Sequence, residues 1–217
     1  MNERTLVFLD ANVIAKPVTR TFLMVARLHS DFTAVWSLRA EQQAALHMRP
    51  RAMAPSAVRE AHGSELTPAG QDPERFAATK ASDRVILADC EAAGARFLVT
   101  EDVDDFGHED LAGVGISAVN FDLFLAERMA RESYAYAIEL FGERQSTPRR
   151  TPEQIHAATA RQHPLPFAAH ADLFDVERAR SVHERPAVMF RGLRCLRCET
   201  VVAAEGDLVE GLCVECQ

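Results

Sequence analysis

The chain has no apolar run approaching the roughly 18 residues that a membrane-spanning helix needs. Its start, MNERTLVFLD, turns polar again within one short strand, unlike a signal peptide. A cytoplasmic protein with no membrane partner is therefore expected. There is no glycine-rich phosphate loop, no nucleophile elbow, and no His-x-x-x-His or Cys-His pair at ligand spacing. Those absences remove phosphate-loop chemistry, elbow-type serine catalysis and a histidine-bound catalytic zinc as leads. No internal repeat is present. Positive charge is short as well, with a formal net charge of −8. Affinity for phosphate backbones comes largely from cationic neutralisation, so an acidic chain is a poor default nucleic-acid binder.

That total hides three unequal parts. Residues 1–141 carry a net −7, residues 142–197 a net +4 built on ten arginines and no lysine, and residues 198–217 a net −5. Arginine forks match phosphate geometry, and clustered acids can be offset by bound divalent cations, so nucleic acid stays open as a partner. With 47% apolar and 26% charged residues, collagen-like, low-complexity and wholly disordered readings are excluded. The 217 residues exceed the usual domain of ~100–150, which suggests one full domain with an appendage.

Leu6-Val7-Phe8-Leu9, closing at Asp10, is a continuous apolar run of the kind buried on both faces of a parallel sheet. Thr33–Trp36, Phe97–Thr100 and Ile116–Val119 read as further strands. Helical spacing fills 17–28, 38–48, 83–93 (ended by Gly94) and 121–141. The stretch QSTPRRTPEQ marks a boundary, after which 152–184 reads as short helices broken by Pro164 and Pro166 and packed on the first domain. Alternating strands and helices predict a doubly wound α/β domain over 1–141, a helical extension over 142–190 and a small module over 191–217. In such a domain the site lies at the carboxyl ends of the strands.

Acids collect at those ends: Asp10, Glu41, Asp83, and Glu101, Asp102, Asp104 and Asp105. A few carboxylates from separated elements can hold Mg²⁺ against a phosphate, and the metal then activates water and stabilises the transferring phosphorus. Any one acid alone could equally be a helix cap or dipole partner, as Asp83 and Asp102 could be. Asp10 stands out, because it closes the most apolar strand.

Phe8-Leu9-Asp10-Ala11-Asn12-Val13, then Asp83-Arg84-Val85-Ile86-Leu87-Ala88, then Leu98-Val99-Thr100-Glu101-Asp102-Val103-Asp104-Asp105-Phe106 resemble, in order and spacing, the three signature blocks of the PIN-domain family. The similarity covers residues 5 to about 170 and is nearest to VapC-type toxin ribonucleases with a helical C-terminal extension. The resemblance implies a three-layer α/β/α sandwich and an Mg²⁺- or Mn²⁺-dependent endoribonuclease acting on RNA. It leaves room for an antitoxin protein and a homodimer. It assigns metal to Asp10, Glu41, Asp83 and Asp102, with Asp105 the rival fourth acid and Asn12 in a supporting place. The second acid is where the chain departs from the family, the helix carrying it looking shortened by about two residues. Glu41 is the choice there, Glu60 its rival and Glu91 an outside one. Thr100 reads as a support for metal or phosphate, or a cap. Lys80 and Arg84 flank Asp83 and read as phosphate contacts or as a solvated face.

Five cysteines remain to be placed. Cys90 lies alone in a helix and reads as an inert buried hydrophobe. Cys195-x-x-Cys198 and Cys213-x-x-Cys216, 14 residues apart, fit a tetrahedral Cys₄ zinc site with no open position, hence a structural one. Disulfides are the alternative, disfavoured in a reducing compartment. Arg191, Arg194 and Arg197 lead into this ribbon, which could bind nucleic acid or protein or merely clamp the C-terminus. A PIN domain joined to a zinc ribbon also resembles ribosomal-RNA maturation nucleases. From a different class, a non-catalytic RNA- or protein-binding adaptor with a decayed site remains the alternative. His108, near the acids, reads as a surface loop residue.

Overall fold

The computed structural model describes residues 4–50, 52–144, 149–174, 176 and 186–217. Among the described residues, five strands form one sheet: β1 Thr5–Leu9, β2 Phe32–Val35, β3 Phe97–Thr100, β4 Ser117–Asn120 and β5 Phe190–Arg191, in the order β2-β1-β3-β4-β5. The first four are parallel, and β5 pairs antiparallel to β4 through Val119 with Phe190 and Ala118 with Arg191. The helices are α1 Ala11–Ile14, α2 Pro17–Ala26, α3 Leu38–His47, α4 Pro55–Ala61, α5 Arg84–Ala92, α6 His108–Val114, α7 Phe121–Arg128, α8 Arg131–Arg144, α9 Pro152–Gln162 and α10 Pro164–Ala169.

Side chains alternate across a strand, so Phe97 and its neighbour Val7 point to one face while Phe8, Leu98 and Ala118 point to the other. All five are fully buried, so the sheet is covered on both sides, consistent with three α/β/α layers. On the Phe97 side, Phe124 of α7 meets the rings of Phe32 and Phe97 at 4.9 and 6.1 Å. Phe22 of α2 stacks on Tyr134 of α8 at 5.6 Å. One cluster of buried apolar side chains runs from Val7 to Leu196, so the extension and ribbon share the core of the α/β part.

The expected helix over 121–141 is interrupted. Met129 is extended, and the Ala130 amide is taken by the Ser30 hydroxyl at 3.0 Å, which separates α7 from α8. Neither residue is a helix breaker, so no local signal announces this. The extension lies on α7: the Leu165 amide donates to Asp122 Oδ2 at 3.0 Å. His156, His163 and His170 are buried there among Phe22, Phe121, Tyr134 and Phe167. Residues 145–148 of the expected boundary, and 175 and 177–184 of the expected short helices, fall outside the described residues. Among the described residues, no helix is long and apolar enough to cross a membrane.

The expected division at 190/191 falls inside β5, a strand absent from the sequence reading. β5 is held against β4 by a glycine. Gly192 has φ +133°, and a Cβ there would lie 2.4 Å from Ser117 Oγ and 2.7 Å from Ser117 Cα, with Ser117 fully buried. Gly192→Ala is expected to lower unfolding free energy by about 2 kcal/mol through overpacking and strain. Urea unfolding measures it, and a change below about 0.5 kcal/mol, the range of neutral surface substitutions, would contradict this account of β5.

Candidate metal centres

Strand order reverses at β1, with β2 on one side and β3 on the other, which opens a crevice at the carboxyl ends of β1 and β3. Asp10 follows β1 and Thr100 ends β3. The Asp10 amide donates to the Val99 carbonyl at 3.0 Å, so the pairing of the two strands continues into the site. Asp10 also caps α1: Oδ1 accepts the Ala11 amide at 2.6 Å. Its Oδ2 accepts the Thr100 hydroxyl at 2.7 Å. That same hydroxyl oxygen accepts from the Asp102 amide at 3.2 Å and from Asn12 Nδ2 at 3.2 Å. Asn12 Nδ2 reaches Asp102 Oδ2 at 3.1 Å, and its Oδ1 accepts the Glu101 amide at 3.3 Å. Asp10, Asn12, Thr100 and Asp102 thus form one connected network, with Thr100 acting both as support and as a local cap.

Asp83 arrives from across the sequence because the segment before α5 is stitched to the turn after β3. The Thr79 amide donates to Asp110 Oδ2 at 2.7 Å, the Gly107 amide to Thr79 Oγ1 at 3.1 Å, and the Lys80 amide to the Asp105 carbonyl at 2.9 Å. Gly107 is required at this crossing, since a Cβ would lie 2.5 Å from the Ala78 backbone. Lys80 Nζ meets Asp105 Oδ2 at 2.6 Å, so Asp105 is already paired. Ser82 Oγ donates to Asp83 Oδ2 at 2.8 Å.

Burial first, and then the charges of Asp83 and Asp102, push the Asp10 carboxyl up to about 6 from 3.8, against the opposing bonds from Thr100 and Ala11. Asp83 is raised too, by burial and then by Asp105 and Asp102, with the Ser82 bond and Lys80 opposing. The charges of Asp83 and Asp102 therefore act on Asp10, although the three carboxylates do not all gather within 4.8 Å of one another. A carboxylate offers about four lone-pair sites, and the two bonds on Asp10 leave others for a hard cation.

Glu41 has partners of its own. Its Oε2 accepts Trp36 Nε1 and Arg59 Nε, each at 2.9 Å, in a largely buried ion pair. The rivals have cationic neighbours as well: Glu60 is exposed beside Arg59, and Glu91 is paired with Arg75. Arg84 is tied to Glu74 and to the carbonyls of Thr79 and Ala77, which favours the structural reading of that cation. His108 begins α6 rather than lying in a loop, and faces Glu205 at 3.2 Å. The sequence reading missed Lys16, paired with Glu101 at the rim; an exposed lysine ahead of a helix gives no pattern that would find it.

The second centre lies in the ribbon. Among the described residues, the sulfurs of Cys195, Cys198, Cys213 and Cys216 are the histidine, cysteine or carboxylate ligand atoms that gather within 4.8 Å of one another. All five cysteines are free thiols. Cys198 and Cys213 sulfurs are 3.6 Å apart, close to the ~3.8 Å edge of a tetrahedron with 2.3 Å Zn–S bonds. The Cys213 amide donates to Cys195 Sγ at 3.4 Å, and Cys198 is pushed down to about 6, chiefly by the Thr200 hydroxyl and then its amide. Four convergent sulfurs fit zinc, although the Cys213 and Cys216 thiols are raised by burial and by bonding within the quartet where Cys198 is lowered. Cys90 is fully buried and its thiol is raised well above the ordinary value by that burial.

Comparison with family models, with curated proteins and with solved structures returns no match to this chain. Function must be argued from the two centres themselves.

The raised Asp10 has a direct consequence for stability. Its protonated form fits the fold better than its charged form, so its contribution is fully present below about pH 3.8 and is lost as pH rises through about 6. The shift corresponds to about 3 kcal/mol at neutral pH, and losing the Thr100 hydroxyl bond returns about 1 kcal/mol. Without divalent cations, Asp10→Asn is expected to raise stability by about 2 kcal/mol at pH 8, with the gain vanishing by pH 4. Denaturant titration at both pH values checks this; destabilisation at pH 8 would contradict it.

Proposed function

We propose that the chain is a PIN-type endoribonuclease dependent on Mg²⁺ or Mn²⁺, the toxin of a toxin–antitoxin pair, with its C-terminal ribbon closed by Zn²⁺. The observation that carries the nuclease reading is the Asp10–Thr100–Asn12–Asp102 network at the strand reversal, with Asp83 brought beside it. Carboxylates whose charges raise one another's ionisation cost are destabilising in themselves, which is understandable if a cation is meant to sit among them. The toxin role rests on the three sequence blocks and their order.

Asp10, Asp83 and Asp102 would hold the cation. When bound, it activates a water and stabilises charge on the phosphorus. The chain's own residues do the positioning. Thr100 fixes the rotamer of Asp10, and Asn12 aims Asp102 by one amide hydrogen while gripping the Glu101 backbone with its oxygen. Asp105 engages Lys80, which keeps that ammonium at the rim of the acids. Glu41, committed to Arg59 and Trp36, anchors α3 to α4. This reading gives it a supporting part rather than a ligand's. An RNA phosphate is repelled by the uncompensated acids and becomes acceptable once a divalent cation neutralises them.

Cleavage of single-stranded or loop RNA is expected with Mg²⁺ or Mn²⁺ and not without a divalent cation. Asp83→Asn is expected to reduce the rate by about a hundredfold or more with unchanged circular dichroism. Cleavage that persists without divalent cations, or survives Asp83→Asn, would sink the proposal.

A further inference from the structure

The two centres are joined by a short chain of contacts. Arg191 lies in β5, one residue from the glycine that admits the ribbon to the sheet. Its guanidinium donates to the carbonyl of Phe106 at 2.9 Å and to that of Asp104 at 3.3 Å. These carbonyls belong to the turn that begins at Asp102 and contains the 3₁₀ segment Val103–Asp105. Phe106 is fully buried, so the turn is pinned from inside by its ring and from outside by Arg191.

On the other side, Arg191 is backed by the ribbon. A Cβ on Gly211 would lie 2.8 Å from Leu196 and 2.9 Å from Phe190, so the second cysteine knuckle closes directly on the first and on the residue before Arg191. The Leu196 amide donates to the Gly211 carbonyl at 2.8 Å. Glu205 of the ribbon accepts the Gly192 amide at 3.2 Å. At the amino-terminal end of the sheet, Glu199 takes Thr5, Arg96 and Arg128, and Arg128 also donates to the Leu196 carbonyl at 2.8 Å. A ribbon of 27 residues has too little core to hold this shape alone, so its closure depends on metal.

We propose that the zinc ribbon sets the acidic turn: when Cys195, Cys198, Cys213 and Cys216 close on Zn²⁺, Arg191 is held against the carbonyls of Asp104 and Phe106. Asp102 is thereby fixed toward Asp10, so occupancy of the cysteine site controls divalent-cation binding at the acids. Arg191 is a positioning residue in this scheme. The inference rests on the acids being a divalent-cation site, but its mechanical half does not.

The test uses the full chain in three forms: zinc-loaded, stripped of zinc by a chelator, and zinc-loaded Arg191→Gln. Amide hydrogen exchange is read at residues 105–107, whose N–H groups bond to Asp102, Val103 and Thr79. Mn²⁺ affinity is read by electron paramagnetic resonance with no RNA present. Zinc removal and Arg191→Gln are both expected to speed exchange at 105–107 and to weaken Mn²⁺ binding about tenfold, the usual effect of losing an outer support. Should stripping zinc unfold the whole chain, Arg191→Gln with zinc counted at one per chain carries the test. Unchanged exchange and unchanged Mn²⁺ affinity in that variant would overturn the proposal. Exchange that depends on Arg191 in a protein that binds no Mn²⁺ would uphold the mechanical link and overturn the cation reading beneath it.

Discussion

The Asp10 carboxylate is withdrawn from water at the end of a central strand, where the Ala11 amide and the Thr100 hydroxyl receive it and the charges of Asp83 and Asp102 oppose its ionisation. Much of the rest can be read as the apparatus that keeps it there. Parallel pairing of β1 with β3 puts Thr100 within reach of Asp10. Asn12, on the short helix that Asp10 caps, ties the turn after β3 back to that helix. The crossing at Gly107 brings the Asp83 helix to the same place. The surrounding core, with Val7, Phe8, Leu9, Phe97, Leu98 and Val99 all fully buried, supplies the stability that a cluster of like charges consumes.

The central strands were legible because burial on both faces leaves an unbroken apolar run, and such runs are rare enough in 217 residues to be placed without ambiguity. Asp10 and Asp102 could be singled out because each follows a strongly apolar strand, and Asp83 because it opens a patterned helix. The cysteine quartet could be singled out because sulfur spacing carries its own geometry. The partners of Glu41 were not legible. An acid on the exposed-looking face of a helix reads the same whether its neighbour is a cation 18 positions away or a metal, and Arg59 is invisible to local pattern. The two-residue strand β5 carries no periodicity, and the break at Met129 depends on a serine 100 residues away. Both are set by tertiary contact alone.

The charge map changes meaning once folded. The arginines leading into the ribbon looked available for phosphate, yet Arg194 donates to the carbonyls of Gly115 and Glu199, and Arg197 pairs with Glu127 at 2.8 Å. The acidic ribbon likewise spends Glu199 on Arg96 and Arg128. Arg191, Arg194, Arg197 and Glu199 are matched within the fold, whereas the acids at the ends of β1 and β3 are only partly matched. That contrast supports the proposal of a cation site at the strand-end acids more than the net charge of any segment does.

The most direct measurement is anomalous diffraction from crystals of the zinc-purified protein soaked in Mn²⁺, with data collected at both metal edges. The account predicts a zinc peak enclosed by the four cysteine sulfurs and a separate manganese peak bordered by Asp10, Asp83 and Asp102. A structure with the acids ordered and no manganese among them would contradict it.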